Sequence, residues 1–154
     1  MRKMLIKTII SAIFLGFNIS VHAELPFNTA YVFTEDQYGD DIACDINPDR
    51  LAETAKSILR YNRISITQNS NTADLIVYIN HVTLDSKLDF CTYNLRMEMY
   101  KYGNITLPKK TVIGSHVLCI ESGLGQRRKY DMRSRLNESI REKVETCLSK
   151  IESK

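Results

Sequence analysis

The chain has 154 residues, 44% hydrophobic and 25% charged, with 6 Gly, 3 Pro, 4 Cys and no Trp. That balance fits one domain with a core of its own and excludes a disordered tail, a collagen-like repeat and a Gly/Pro linker. The formal net charge of +3 is carried by the first 23 residues, so the remainder has no basic excess for a nucleic-acid footprint.

Residues 1–23 begin with Arg2, Lys3 and Lys7, continue through the apolar run Ile9–Phe17, and end in Val21-His22-Ala23. This is the pattern of a secretory signal peptide of bacterial style. The apolar run is too short for a membrane span, and no stop-transfer pattern follows. The expectation is export to the periplasm, cleavage after Ala23, and a single secreted domain over residues 24–154 with no transmembrane segment. No Cys stands at the new N-terminus, so lipid attachment is not expected. Removing the three bases leaves 18 basic against 18 acidic residues.

In chain order, Ala30–Thr34 is rich in β-formers and reads as a strand. Glu35 to Asp49 carries six acids and no base, an acidic loop. Its Asp36, Asp40, Asp41 and Asp45 offer hard oxygen ligands, but without the spacing or closing Glu of a calcium loop, so a solvated loop is expected and no metal. Asn47-Pro48 supplies a helix N-cap and first position, and Leu51, Ala55, Ile58 and Leu59 make its apolar stripe, ending near Tyr61-Asn62. Arg63–Thr67 reads as a short strand and Gln68–Thr72 as a polar turn.

Ala73–Asn80 is apolar on both faces at its start, as a central strand is. After the turn Asp85–Lys87, Cys91, Tyr93, Leu95, Met97 and Met99 alternate with Thr92, Asn94, Arg96, Glu98 and Tyr100, the clearest strand signal in the chain. Lys110–Ile120 reads as the return strand, with Thr111, Ile113, Ser115, Val117 and Cys119 expected inward and Val112, Gly114, His116 and Leu118 outward. Gly123-Leu124-Gly125 is expected to break the sheet. A helix follows from about Tyr130, with Met132, Leu136, Ile140, Val144, Cys147, Leu148 and Ile151 at core spacing. The order predicts an α+β two-layer sandwich: a mainly antiparallel sheet of about five strands with two helices on one face.

The segment from Leu51 to Leu84 runs from amphipathic helix to short strand, polar turn and Ala73-Asp74-Leu75-Ile76-Val77. It resembles small bacterial envelope domains of the TolB N-terminal and penicillin-binding-protein activator type. The resemblance implies a non-enzymatic envelope protein that docks on other proteins, and it carries over no functional residue. The four cysteines and the missing lipid-attachment Cys depart from that pattern.

Four cysteines in an exported chain predict two disulfides, with three possible connectivities. Cys91 and Cys119 lie equally far from Ile105, so a hairpin folded there sets them opposite one another. Cys44 then pairs with Cys147. Cys44–Cys91 with Cys119–Cys147 is the main rival.

Catalytic motifs are absent: there is no GxSxG, HExxH or CxxC. His81 and His116 remain after export as the only candidates for a small secreted hydrolase. Gly123-Leu124-Gly125-Gln126-Arg127-Arg128-Lys129 is a partial match to an anion-cradling loop. Arg133 and Arg135 set against the acidic loop hint at a charged partner surface. The open sheet face, with Asn94, Arg96, Glu98, Tyr100 and His116, is the other candidate, joined by Asp40 and Asp41 of the loop. The reading favoured is a non-catalytic periplasmic protein-binding module without cofactor, in particular an immunity or inhibitor protein. An envelope-assembly adaptor and a small secreted hydrolase are the alternatives.

Overall fold

The computed structural model describes residues 25–153 apart from positions 36, 37, 40 and 87, with Tyr38 and Gly39 described by backbone only. The leader expected over residues 1–23 lies outside the described residues, as does Asp40. Among the described residues no helix is long and apolar enough to cross a membrane.

Strand β1 (Thr29–Thr34) leads through the two-residue β2 (Tyr38–Gly39) to helix α1 (Pro48–Tyr61). Asn47 caps α1 by accepting a hydrogen bond from the Arg50 N–H, and Pro48 occupies a first-turn position where no N–H partner is needed. The helix stops in a Schellman turn. Arg63 adopts φ 64°, its N–H donates to the Arg60 carbonyl at 3.0 Å, and the Ile64 N–H donates to the Leu59 carbonyl at 3.0 Å. Leu59 and Ile64 are both buried, which completes the apolar contact of that motif.

Strand β3 is reduced to Ser65–Ile66, and β4 (Leu75–Asp85), β5 (Phe90–Leu107) and β6 (Lys110–Arg128) are far longer. Helix α2 (Lys129–Glu152) follows β6 without a loop. The strands run β3-β1-β4-β5-β6, with β2 pairing off β4. The β1 side of the sheet is parallel, while the long β4–β5 and β5–β6 ladders are antiparallel. The fold is α+β, and both helices pack on one face of the sheet as the element order predicts. The core joins Leu51, Ala55, Ile58 and Leu59 of α1, Met132, Leu136, Ile140 and Val144 of α2, and Leu75, Val77, Ile79, Leu95, Met97 and Met99 of the sheet.

The β1–β4 edge is fixed by one carboxylate. Asp74 Oδ2 accepts from the N–H groups of Asn28 and Thr29 and from the Thr29 hydroxyl, each at 3.0 Å. These donors, led by the Asn28 N–H, hold its pKa below the usual aspartate value.

Three expectations fail here, for reasons of register. The β5–β6 hairpin turns at Pro108-Lys109, with Leu107 opposite Lys110, so Gly103 pairs with Gly114 inside the ladder and the fold point is not Ile105. Cys91 therefore faces Arg127 and Cys119 faces Met99. The disulfides are Cys44–Cys91 and Cys119–Cys147, the rival connectivity. One ties the loop before α1 to β5, and the other ties β6 to α2.

The second failure is the face pattern of β6. The ladder shifts register between Met99 and Tyr100, where Cys119 pairs with Met99 but Val117 pairs with Tyr100, leaving Leu118 as an extra residue. This bulge reverses the alternation. Cys119 stays on the helix side, while Ile113, Ser115 and Val117 pass to the open face. Third, Gly123-Leu124-Gly125 does not end the sheet, because β6 continues to Arg128. The glycines instead admit neighbours: a Cβ on Gly125 would stand 2.8 Å from the Tyr93 ring.

Candidate functional site

The helices cover one face of the sheet and leave the other open. Pleating sends Leu75, Val77 and Ile79 of β4 into the core, so Ile76, Tyr78 and Asn80 point the other way. On β5, Asn94, Arg96, Glu98 and Tyr100 share that open face, as their alternation with the buried Tyr93, Leu95, Met97 and Met99 dictates.

Register sets these side chains in cross-strand rows. One row runs Phe33, Tyr78, Glu98, Ile120, and the next runs Tyr31, Ile76, Tyr100, Val117. Phe33 meets Tyr78 in a tilted contact with centroids 5.0 Å apart and stacks on Tyr31 at 5.7 Å. Tyr100 meets Tyr102 edge to face at 5.8 Å. Beside these aromatic pairs lies a shallow depression of about 420 Å³, lined by Phe33, Tyr78, Tyr100 and Tyr102 together with Glu35, Glu98, Ser115 and Val117.

The carboxylates of the face differ in their partners. Glu35 accepts short hydrogen bonds from the Tyr78 hydroxyl and the Asn80 amide. The Tyr78 contact, then that of Asn80, holds its pKa below the usual glutamate value. Glu98 pairs with Arg96 at 2.7 Å. Burial, reinforced by Tyr102 and Glu98, pushes the Tyr100 phenol up to about 12. Along β6 the same face shows Ile113, Val117, Ile120 and Leu124, all exposed, with Val117 at 53% and Leu124 at 76%.

The remaining sequence candidates are dispersed. His116 is not on this face: it pairs with Lys101 and lies against Gly103, on the helix side of the sheet beyond the bulge. Asp41 is not on the surface. It is 1% exposed, and its carboxylate accepts from the Thr83 hydroxyl and lies 3.1 Å from His81 Nε2. Asp41, His81 and Thr83 thus form a buried polar cluster beside the Cys44–Cys91 bond. The Asp41 carbonyl also accepts from the N–H groups of Cys44 and Ile46. His81 and Thr83 occupy the helix-facing positions that follow Val77 and Ile79, which was the signal in the sequence that a polar partner had to be buried with them.

The two histidines are far apart. Gly123 stands across β5 from His81, and His116 lies seven positions away on β6, on the order of 20 Å of strand. The acidic loop offers no shared metal site among its described aspartates, since Asp41 is engaged with His81 and Asp45 pairs with Arg133. Arg135 pairs with Glu138 at 2.7 Å, so the charge polarity between loop and α2 is met largely within the chain. Cys119, Glu121 and Cys147 approach one another, but both sulfurs are in the disulfide. The segment 123–129 forms no cradle, being strand up to Arg128, whose guanidinium sits 5.9 Å from the Phe90 and Tyr130 rings.

Sequence reasoning missed Tyr31, Phe33, Glu35, Tyr78 and Tyr102 as parts of this face. The alternation Tyr31-Val32-Phe33, with only Val32 buried, was the available sign.

No protein-family model matches the chain. No curated protein matches it either. Among solved structures the chain is similar to a hypothetical protein, CT253, from Chlamydia trachomatis, at 11% identity and a TM-score of 0.47, over 78% of this chain and 96% of that one.

Proposed function

We propose that the protein is a non-catalytic module of an oxidising, extracytoplasmic compartment that binds another protein through its open sheet face. The observation that carries this reading is the aromatic and aliphatic surface opposite the helical layer, made of the half-buried Tyr31, Phe33 and Tyr78 and the exposed Tyr102, Val117 and Leu124. Apolar surface gathered on the open side of a sheet costs free energy while it faces water, and that cost is relieved when a partner covers it. The two disulfides support the compartment, because such bonds persist outside the reducing cytosol. The finer form of the proposal is periplasmic, with residues 1–23 as the cleaved signal and an immunity or inhibitor role. The alternative role is the envelope-assembly adaptor that the likeness to TolB N-terminal and penicillin-binding-protein activator domains implies.

The test is affinity capture from periplasmic extract with the wild type and with Tyr102→Asp/Val117→Asp, whose exposed positions leave the core intact. Capture of one stoichiometric partner by the wild type and its loss in the variant supports docking. Inhibition of that partner's enzymatic activity marks the immunity or inhibitor role, and an unaffected partner marks the adaptor. Equal capture by both proteins, or substrate turnover abolished by His116→Ala, overturns the reading.

A further inference from the structure

We propose that the depression beside the aromatic pairs is a guanidinium site, built to take an arginine side chain of the partner. This deepens the docking reading above and rests on it. The residues that carry it are Phe33, Tyr78, Tyr100 and Tyr102 with the carboxylates of Glu35 and Glu98.

Three features select a cation. Aromatic rings line the depression, and ring faces attract a cation through their quadrupoles. Among the described residues that line the depression, the groups charged at neutral pH are the two carboxylates, with no lysine or arginine beside them. An anionic ligand would therefore meet two carboxylates in the lining, of which Arg96 beside the depression pairs with Glu98. Finally, Glu35 carries charge without a cationic partner in its own hydrogen bonds, both of which come from the neutral groups of Tyr78 and Asn80. Arg96 sits on the same face but is paired with Glu98 at 2.7 Å, so the three charges sum to one negative charge at Glu35.

Shape selects guanidinium over ammonium. A planar, weakly hydrated group can stack on Phe33 or Tyr78 while its N–H edge donates to Glu35, whereas an ammonium is a strongly hydrated point charge with no flat face. A volume of about 420 Å³ leaves room for the side chain without displacing the strands.

The experiment titrates the purified protein with N-acetyl-arginine amide, with its neutral isostere N-acetyl-citrulline amide, and with N-acetyl-lysine amide, following the ring signals by NMR. The expected result is saturable shifts of Phe33, Tyr78, Tyr100 and Tyr102 with the arginine probe. Binding should be about 10-fold weaker for citrulline and about 5-fold weaker for arginine on Glu35→Gln, the ranges set by charged hydrogen bonds and cation–π contacts. Glu35 is exposed and outside the core, so its variant retains the fold. Absence of ring shifts, equal binding of citrulline, or an unchanged Glu35→Gln overturns the site. Lysine amide binding as tightly as arginine overturns the guanidinium assignment. Ring shifts without any captured protein would sink the docking reading alone. A captured partner that is indifferent to Glu35→Gln and to competing arginine amide would sink the guanidinium site alone.

Discussion

Replacing Cys119 and Cys147 together by alanine removes one crosslink and leaves the other whole. The bond closes 28 residues between β6 and α2, which in the chain-entropy treatment corresponds to about 3.6 kcal/mol at 25 °C. Cys44–Cys91 closes 47 residues, for about 4 kcal/mol on the same basis. Both Cys119 and Cys147 are buried in the core, so alanine also forfeits sulfur packing. Urea unfolding of Cys119→Ala/Cys147→Ala should show a loss of about 3–4 kcal/mol and a midpoint about 2 M lower, for an m-value typical of this size. Titration of unfolded protein with a thiol reagent should find no free thiol in the variant, because Cys44 and Cys91 remain joined to each other. Two reactive thiols, or a stability within about 0.5 kcal/mol of wild type, would refute the connectivity and the energetic reasoning respectively.

The buried polar cluster is tested by Asp41→Ala, which strands His81 Nε2 and the Thr83 hydroxyl in the core and should cost about 3 kcal/mol by thermal or urea melting. Asp41→Asn, which keeps an acceptor, should cost less, and a neutral Asp41→Ala would mean a solvated loop after all. Asp74→Asn should cost about 1 kcal/mol near neutral pH, a modest figure because the carboxylate is exposed. Since the folded pKa of Asp74 is lowered, its contribution is present above the ordinary aspartate value and fades as pH falls through the folded value. The gap between wild type and Asp74→Asn should therefore close on acidification, and a gap that widens would contradict the assignment. Arg63→Gly should raise stability by about 0.5–1 kcal/mol, because Arg63 holds φ 64° in a Schellman turn that suits glycine. A loss in its melting temperature would show that the arginine side chain does more than close the helix.

Local signals carried much of the fold. Asn47-Pro48 marks the start of α1, the stripe Leu51 to Leu59 its buried face, and the period-two run Cys91 to Met99 the centre of β5. What stayed hidden depends on single-residue register. A turn at Pro108-Lys109 rather than near Ile105 moves the partner of Cys91 from Cys119 to Arg127, which changes the disulfide pairing. The Leu118 bulge reverses the face of His116 and Val117, and no propensity announces a bulge. The glycines at 123 and 125 look like breakers, yet they serve close approaches of Lys143 and Tyr93 that only the tertiary structure creates. The same limit applies to the open face. Its β5 residues follow from alternation, while the aromatic lining needs Phe33 of β1 and Tyr78 of β4 side by side, a parallel pairing made across a helix and a turn.

Photo-crosslinking in living cells tests the central claim most directly, with p-benzoylphenylalanine placed at Tyr102 or Val117 on the open face and at Tyr61, an exposed residue of α1, as the control. The account predicts one discrete crosslinked species from both open-face positions and none from Tyr61. A crosslink from Tyr61 with silent open-face positions would place the partner on the helical layer and contradict it.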